Sequence, residues 1–193
     1  MHLSNNKKQN DMKQVLLIFT VLLIYNSAFA QNKVSADSTN REPQRITEIC
    51  GVKFGASYKS ALDTLINTLG KPNITSENNS IFYRDKSYEG IDFDSIYFIF
   101  VSDGQNANLS TCFFYYNTDK EKDAKDTFRL ICETLSQKYE LTQIESSDES
   151  IDFYVGGLSP IDDSRGFSIG LNKVLGTHYS VSLCYGPYEF VKE

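Results

Sequence analysis

The stretch "SIYFIFV", Ser95 to Val101, decides how this chain is organised. Six apolar residues follow the serine without a break, and three of them carry aromatic rings. Because successive side chains of a strand point to opposite faces of a sheet, this strand is apolar on both faces. One face has to pack on the core, so something else has to cover the other.

The first thirty residues have the pattern of a secretory signal peptide. A start with several lysines precedes the apolar run "VLLIFTVLLIY", and "SAFA" supplies small residues for cleavage between Ala30 and Gln31. The run is shorter than the ~20 residues of a membrane-spanning helix. Met12 opens a more typical signal than Met1 does. We therefore predict an exported protein, periplasmic or extracellular, with an uncleaved N-terminal anchor as the alternative.

The remaining chain is acidic and suits one domain. The full sequence has 19 Lys and Arg against 25 Asp and Glu, a formal net charge of −6. Cleavage after Ala30 removes three Lys and one Asp, which leaves 16 against 24 and a charge of −8. An acidic chain without a basic stripe repels phosphate backbones, so we expect no nucleic-acid partner. Residues 31–45 are polar and predict a flexible lead-in to a single domain, 46–193, which has no further apolar run long enough for a membrane span.

Four cysteines remain in that domain, Cys50, Cys112, Cys132 and Cys184. Export permits disulfides, and four cysteines allow three full pairings. All four lie in apolar segments, which favours free buried thiols for at least some of them. Their spacing matches no metal site, and we expect neither a metal nor another cofactor.

Two helices alternate with groups of strands along the domain. Ser57 is a typical cap for a helix that continues to Leu69, and Gly70 and Pro72 end it. Apolar spacing predicts a second helix from about Asp119 to Tyr139. The predicted strands are 46–55, 81–84, 95–101, 109–116, 141–144, 151–155, 167–171 and 179–185.

A shift of 70 residues aligns the two halves of the domain without a gap. Tyr58 then meets Phe128, Leu65 meets Leu135, and Tyr97 meets Phe167. We interpret this as an internal repeat of about 55–118 and 119–188. The alternative is two similar units that arose independently. The predicted fold class is α+β: two helix-plus-antiparallel-meander repeats forming one curved antiparallel sheet with both helices on one face.

The repeat assigns the faces of the first strand group. In "GFSIGL" the apolar residues Phe167, Ile169 and Leu171 alternate with small ones, so they face the helices. Transfer by 70 residues puts Tyr97, Ile99 and Val101 on the helix side, together with Leu109, Thr111, Phe113 and Tyr115. The opposite face then holds the candidate partner-binding residues Phe82, Ile96, Phe98, Phe100, Phe114 and Tyr116, together with Cys112. Such a surface is too apolar for water, and either the chain's own segments, a protein partner or homodimer, or a small ligand covers it.

Catalytic patterns are weak in this sequence. His178 lies alone in a turn, and no G-x-S-x-G nucleophile elbow or metal-binding spacing occurs. Asp92, Asp94, Asp162 and Asp163 fall in predicted connections. Paired carboxylates there could hydrolyse a glycoside or bind Ca²⁺, although Asp is also common in turns for its backbone hydrogen bonds.

Two short motifs add a resemblance. The entry Gly55-Ala56-Ser57 and the exit Leu69-Gly70-Lys71-Pro72 frame the first helix, and aromatic strands follow. This arrangement is similar to the tandem helix-plus-four-strand proteins related to the beta-lactamase inhibitory protein. One unit also resembles the SmpA/OmlA-type outer-membrane assembly lipoproteins, although no lipobox cysteine follows the cleavage site and the second copy has Lys138-Tyr139-Glu140 in place of Gly-x-Pro. The composition resembles that of exported Bacteroidota proteins.

The resemblance implies a binding or scaffolding role rather than catalysis. We therefore expect an exported, non-enzymatic protein that uses an apolar and aromatic sheet face for a protein or peptide partner in the cell envelope, or for a second copy of itself. The alternatives are a carboxylate-dependent hydrolase or Ca²⁺-dependent binder at the Asp92 and Asp162 loops, or a structural envelope protein without a ligand.

Overall fold

A computed structural model describes residues 44–102, 106–144, 151–174 and 178–190. The expected signal peptide, its cleavage site at Ala30 and Gln31, and nearly all of the expected lead-in lie outside these residues. Within the compact unit Glu42–Glu193, two helices accompany an antiparallel sheet of eight strands. The α+β class is therefore confirmed. In the described residues, no helix is long and apolar enough to cross a membrane.

The elements follow the predicted order with two differences. The predicted first strand is divided into two short strands, and a short strand that was not predicted follows the first helix. In chain order they are β1 (Glu48–Ile49), β2 (Val52–Lys53), α1 (Tyr58–Leu69), β3 (Ile74–Ser76), β4 (Ser80–Tyr88), β5 (Ile91–Ser102), β6 (Ala107–Thr118), α2 (Glu121–Ser136), β7 (Leu141–Gln143), β8 (Ile151–Leu158), β9 (Arg165–Val174) and β10 (His178–Tyr185).

The large sheet has the strand order β3-β4-β5-β6-β10-β9-β8-β7. Each half of it consists of four successive strands that follow one helix, and the halves meet where β6 pairs with β10. Both edges are strands of only three residues, β3 and β7. Short edges limit the unpaired backbone that a sheet offers to other chains. The duplication itself stays a prediction.

Both helices form for local reasons and bury one side. The Ser57 hydroxyl accepts a hydrogen bond from the Ser60 N–H at 3.4 Å, and α1 ends at Gly70, whose φ of 85° suits glycine. Helix α2 lacks a side-chain cap, but acidic residues in its first turn favour the positive end of the helix dipole. The buried residues are Tyr58, Ala61 and Leu65 in α1, and Ala124, Phe128, Ile131 and Leu135 in α2.

The predicted first strand, 46–55, is a hairpin of two two-residue strands. Cys50 and Gly51 form its turn, with φ of 50° and 76°. Just before it, the chain runs along the edge of β8: the Ile46 N–H donates to the Leu158 carbonyl at 2.9 Å, and the Leu158 N–H donates to the Gln44 carbonyl at 3.0 Å. The end of the expected lead-in is therefore part of the fold.

The face assignment of β5 is wrong. Ile96, Phe98 and Phe100 are 0%, 0% and 3% exposed and belong to the core that both helices cover, whereas Val101 is 57% exposed. The Phe100 ring meets the Tyr58 ring of α1 at 5.1 Å. In the second half, Phe167, Ile169 and Leu171 do lie in that core.

The error has a simple origin in the offset of 70. That offset aligns the buried residues of the two helices, but it aligns Tyr97, which faces away from the helices, with buried Phe167. An offset of 71 matches Ile96 with Phe167 and Phe100 with Leu171, so the core-facing residues of β9 lie one position further from the buried residues of their helix than those of β5 do. A slip of one residue exchanges the two faces of a strand.

A bulge changes the phase of β6 as well. Phe100 pairs with Leu109 while Ile99 pairs with Thr111, which leaves Ser110 as the extra residue. The Ser110 hydroxyl donates to the Tyr188 carbonyl at 2.9 Å, so the bulge is held by the C-terminal segment. Beyond it, Cys112 and Phe114 face the helices rather than the opposite side.

Candidate functional site

The sheet face turned away from both helices carries one row of directly paired residues across all eight strands. We call this the distal face. From edge to edge the row is Ile74, Phe82, Tyr97, Phe113, Cys184, Ser168, Val155 and Thr142. Directly opposite residues of antiparallel strands share a face, so their side chains form one continuous strip.

The strip is aromatic in the first half of the sheet and small in the second. The next row is mixed: Arg84, Ser95 and Tyr115 in the first half pair onward to Ser182, Gly170 and Phe153 in the second. The first row contains no charged residue, and Arg84 is the charged residue at the edge of the next. Tyr and Phe are enriched at protein interfaces, and Tyr, Ser and Gly together are common in antibody paratopes.

The aromatic side chains of the strip are in mutual contact. The centroid of the Phe82 ring lies 4.6 Å from that of the Tyr97 ring. The Arg84 guanidinium lies 5.5 Å from the Phe82 centroid. Phe113 and Tyr115 lie nearly parallel at 6.0 Å, and Tyr97 meets Tyr115 edge-on at 6.1 Å. The rings therefore form a pre-ordered cluster, which reduces the entropy lost when a surface binds.

Most of the first row has little exposed surface, since Cys184 and Val155 are each only 6% exposed. Phe82 and Phe113 are 7% and 9% exposed, and Tyr115 is half-buried. Ile74 and Val101 are 60% and 57% exposed. The accessible apolar contacts of this face are thus at the margin of the first half.

The six predicted partner-binding residues are divided between the two faces. Phe82 lies on the distal face, where the prediction placed it. The four residues Ile96, Phe98, Phe100 and Phe114 are core residues, and Tyr116 is partly buried against that core. They cannot form a contact surface, because their side chains fill the layer between the sheet and the helices.

Sequence reasoning assigned the wrong side to the residues that do form the distal face. Tyr97, Ile99, Val101, Phe113 and Tyr115 were expected in the core. No local signal in the sequence separates the two sets, because both are apolar; the 57% exposure of Val101 is evident only in the structure.

The predicted acid sites do not lie in matching connections. Asp92 and Asp94 are within β5, not in a loop. The Asp92 carboxylate accepts from the Ser87 hydroxyl across the hairpin, and Asp94 accepts from the Asn117 N–H at 2.5 Å. Asp162 accepts from the Ser164 N–H at 3.1 Å, and the Ser164 hydrogen bonds lower the pKa of Asp162. Asp92 and Asp94 thus connect β5 to the strands on either side of it, and Asp162 stabilises its own turn.

Other candidate reactive groups are also placed. All four cysteines are free thiols, with Cys50, Cys112 and Cys184 buried and Cys132 half-buried. The exposed His178 ring contacts the Asp119 carboxylate at the start of β10. In the parts of the chain that the structure describes, no three His, Cys, Asp or Glu side chains are grouped to hold a metal ion.

Comparison with known proteins adds no assignment: no family model, no curated protein and no solved structure matches this chain.

Proposed function

We propose that this chain is a non-catalytic binding protein whose distal face recognises a protein or peptide partner. The observation that carries the proposal is the uncharged row of paired residues, aromatic in one half of the sheet and small in the other. Aromatic residues contribute most of the energy at protein interfaces, and charged residues are depleted at their centres. The partner that fits is an uncharged segment with apolar side chains for the aromatic half.

The small half of the face offers serine hydroxyl groups. Ser168, Gly170, Ser182 and Cys184 are small residues of β9 and β10. Gly170 and Cys184 are buried within the chain, so a partner would contact the half-buried Ser168 and Ser182. The serine hydroxyls can both donate and accept hydrogen bonds. A partner with extended backbone or hydroxyl groups would match this half, while its apolar residues contact Tyr115 and Ile99.

We extend the proposal to localisation and origin. The signal-peptide pattern supports export, so the partner would belong to the cell envelope or the exterior. The shared helix-then-four-strands order of both halves supports a duplicated ancestor, with an offset of 71 in the strands, in the manner of the tandem proteins that the helix motifs resemble.

A photo-crosslinking experiment tests the distal face. p-Benzoylphenylalanine replaces Val101 on the distal face or, as the control, Leu130, which is 45% exposed on α2. Both proteins are expressed with their full leader and irradiated in cells. We expect a discrete crosslinked product from position 101 and none of that mass from position 130.

A second variant separates recognition from chance proximity. Ser182→Arg places one positive charge in the small half of the distal face, where an uncharged partner offers no opposite charge. This variant should remove the crosslinked product from position 101 without lowering the melting temperature. The same product from Ser182→Arg, or equal products from positions 101 and 130, would overturn the proposal. A large loss of stability in Ser182→Arg would show instead that the chain covers this face itself.

A further inference from the structure

A pocket of about 480 Å³ lies on the helix side of the sheet, remote from the distal face. Its walls come from five places: the β1–β2 turn, the last turn of α1, the β4–β5 hairpin, the end of α2 with the residues after it, and β10. Protein interiors are close-packed, with few voids larger than a water molecule. A space of this size is within the range of small-molecule sites.

The inner wall combines an apolar part with a group of phenol hydroxyls. Ile46, Leu69 and Leu135 supply the apolar part. The tyrosines Tyr88, Tyr139 and Tyr185 all line the pocket. Burial raises the pKa of Tyr88 and of Tyr185, and Tyr139 lies close enough to raise both further.

The tyrosine rings are fixed from behind. Tyr88 packs on Phe114 at 4.9 Å, and Tyr139 and Tyr185 both pack on Phe167, at 5.3 and 5.6 Å. These contacts fix the orientations of the rings, so a ligand would meet tyrosines that are already in place.

The interior of the pocket is uncharged. Burial raises the pKa of all three tyrosines and raises the pKa of Cys50 to about 12, so each stays protonated near neutral pH. The charges are at the rim, where the Lys138 ammonium lies 2.9 Å from the Glu89 carboxylate. Glu48 also lines the pocket and is exposed. A charged ligand group placed inside would lose its hydration without gaining an opposite charge.

We propose that this pocket binds a small, uncharged, amphipathic molecule. Its apolar body would contact Leu69, and its hydroxyl or carbonyl group would exchange hydrogen bonds with the hydroxyls of Tyr88 and Tyr139, which are partly exposed. In contrast, Ile46, Leu135 and Tyr185 are at most 3% exposed and form the floor behind them. The site is independent of the distal face, because its lining residues lie on the opposite side of the sheet.

Fluorescence titration with N-phenyl-1-naphthylamine tests the pocket, since this uncharged probe brightens in apolar surroundings. We expect saturable binding of one probe per chain. Thr68→Phe, a substitution at an exposed wall position in the last turn of α1, should weaken binding at least about tenfold by filling the space. The matched control is Asn67→Phe, on the same turn but outside the pocket, and it should bind like the wild type.

Competition with three naphthalenes of equal ring size tests the ligand class. We expect 2-naphthol to displace the probe best, then naphthalene, then naphthalene-2-sulfonate. Tyr139→Phe should remove about a fivefold advantage of 2-naphthol over naphthalene, since one hydrogen bond contributes roughly 1 kcal/mol.

Three results would overturn the inference: no saturable binding, equal binding by Thr68→Phe and Asn67→Phe, or a sulfonate that competes as well as the naphthol. The first would leave the pocket as a water-filled space. Ser182→Arg tests whether the pocket is independent of the distal face. If this variant binds the probe like the wild type, the two sites are separate, and either proposal can fail without the other.

Discussion

The Phe100 ring of β5 packs against the Tyr58 ring of α1, with centroids 5.1 Å apart and ring planes 68° apart. The contact joins the first residue of a helix to the strand whose sequence has no alternation of its own. It fixes which face of "SIYFIFV" enters the core, and therefore which residues the distal face receives.

Truncation of Phe100 and truncation of its neighbour Val101 should change the stability by very different amounts. Phe100→Ala should lower the free energy of unfolding by about 3–5 kcal/mol, because it opens a cavity under α1. Val101→Ala removes an exposed side chain and should change it by less than about 0.5 kcal/mol. Urea denaturation followed by circular dichroism measures both. A larger loss for Val101→Ala would restore the face assignment that the offset of 70 suggested.

Two glycines of β9 should respond differently to a methyl group. At Gly166 an added Cβ would lie 2.8 Å from the Leu158 carbonyl oxygen and would also meet Ile46. Because backbone cannot give way like a side chain, Gly166→Ala should cost about 1–3 kcal/mol. At Gly170 the nearest atom is the Ser182 hydroxyl oxygen at 3.2 Å.

Gly170→Ala is the control, and it should change stability by less than about 1 kcal/mol in either direction. Thermal unfolding of both variants measures the difference. Equal losses would mean that Ile46 and the Leu158 carbonyl of β8 do not limit the space at Gly166.

Alkaline pH should destabilise the fold through buried thiols. Burial raises the pKa of Cys50 and of Cys184 from 9.0 to about 12. Below pH 9 both folded and unfolded chains keep these protons, so stability is at its full value. Between pH 9 and 12 the unfolded chain releases them and the folded chain does not, so the free energy of unfolding falls by up to about 1.4 kcal/mol per pH unit for each thiol.

Cys184→Ala tests this directly. Urea denaturation at pH 8.5, 9.5 and 10.5 should show a smaller decline with pH in the variant than in the wild type. Identical declines would attribute the alkaline loss to other groups, such as the buried tyrosines.

Local signals predicted α1 well because they act within a few residues. Ser57, Gly70 and Pro72 determine where that helix begins and ends, and none of them depends on distant contacts. Strand β3, Ile74–Ser76, has three exposed residues and no alternation, so the sequence lacks a local signal for it; it forms by pairing with Ser80–Phe82.

Which residues of each strand face the helices could not be predicted from the sequence of that strand alone. A one-residue difference between the halves and the bulge at Ser110 exchange the helix-facing and distal residues of β5 and β6. Neither feature changes the composition of the strands, so the sequence does not indicate them. The predicted binding residues depended on that face assignment. Phe82 was assigned to the correct face of the sheet, whereas Tyr97 and Tyr115 were assigned to the core in place of Phe98 and Phe114. The pocket was not predicted, since five separated segments converge on it.

The central pairing of β6 with β10 has a consequence for chains still being made. Strand β10 is the last element, so until residue 185 has emerged, β6 exposes a long apolar edge in what becomes the middle of the sheet. Such an edge is a template for pairing with another chain. A prematurely terminated product that ends after α2 should therefore aggregate rather than persist as a stable half, and the cell would have to keep the nascent protein apart from its neighbours until synthesis is finished.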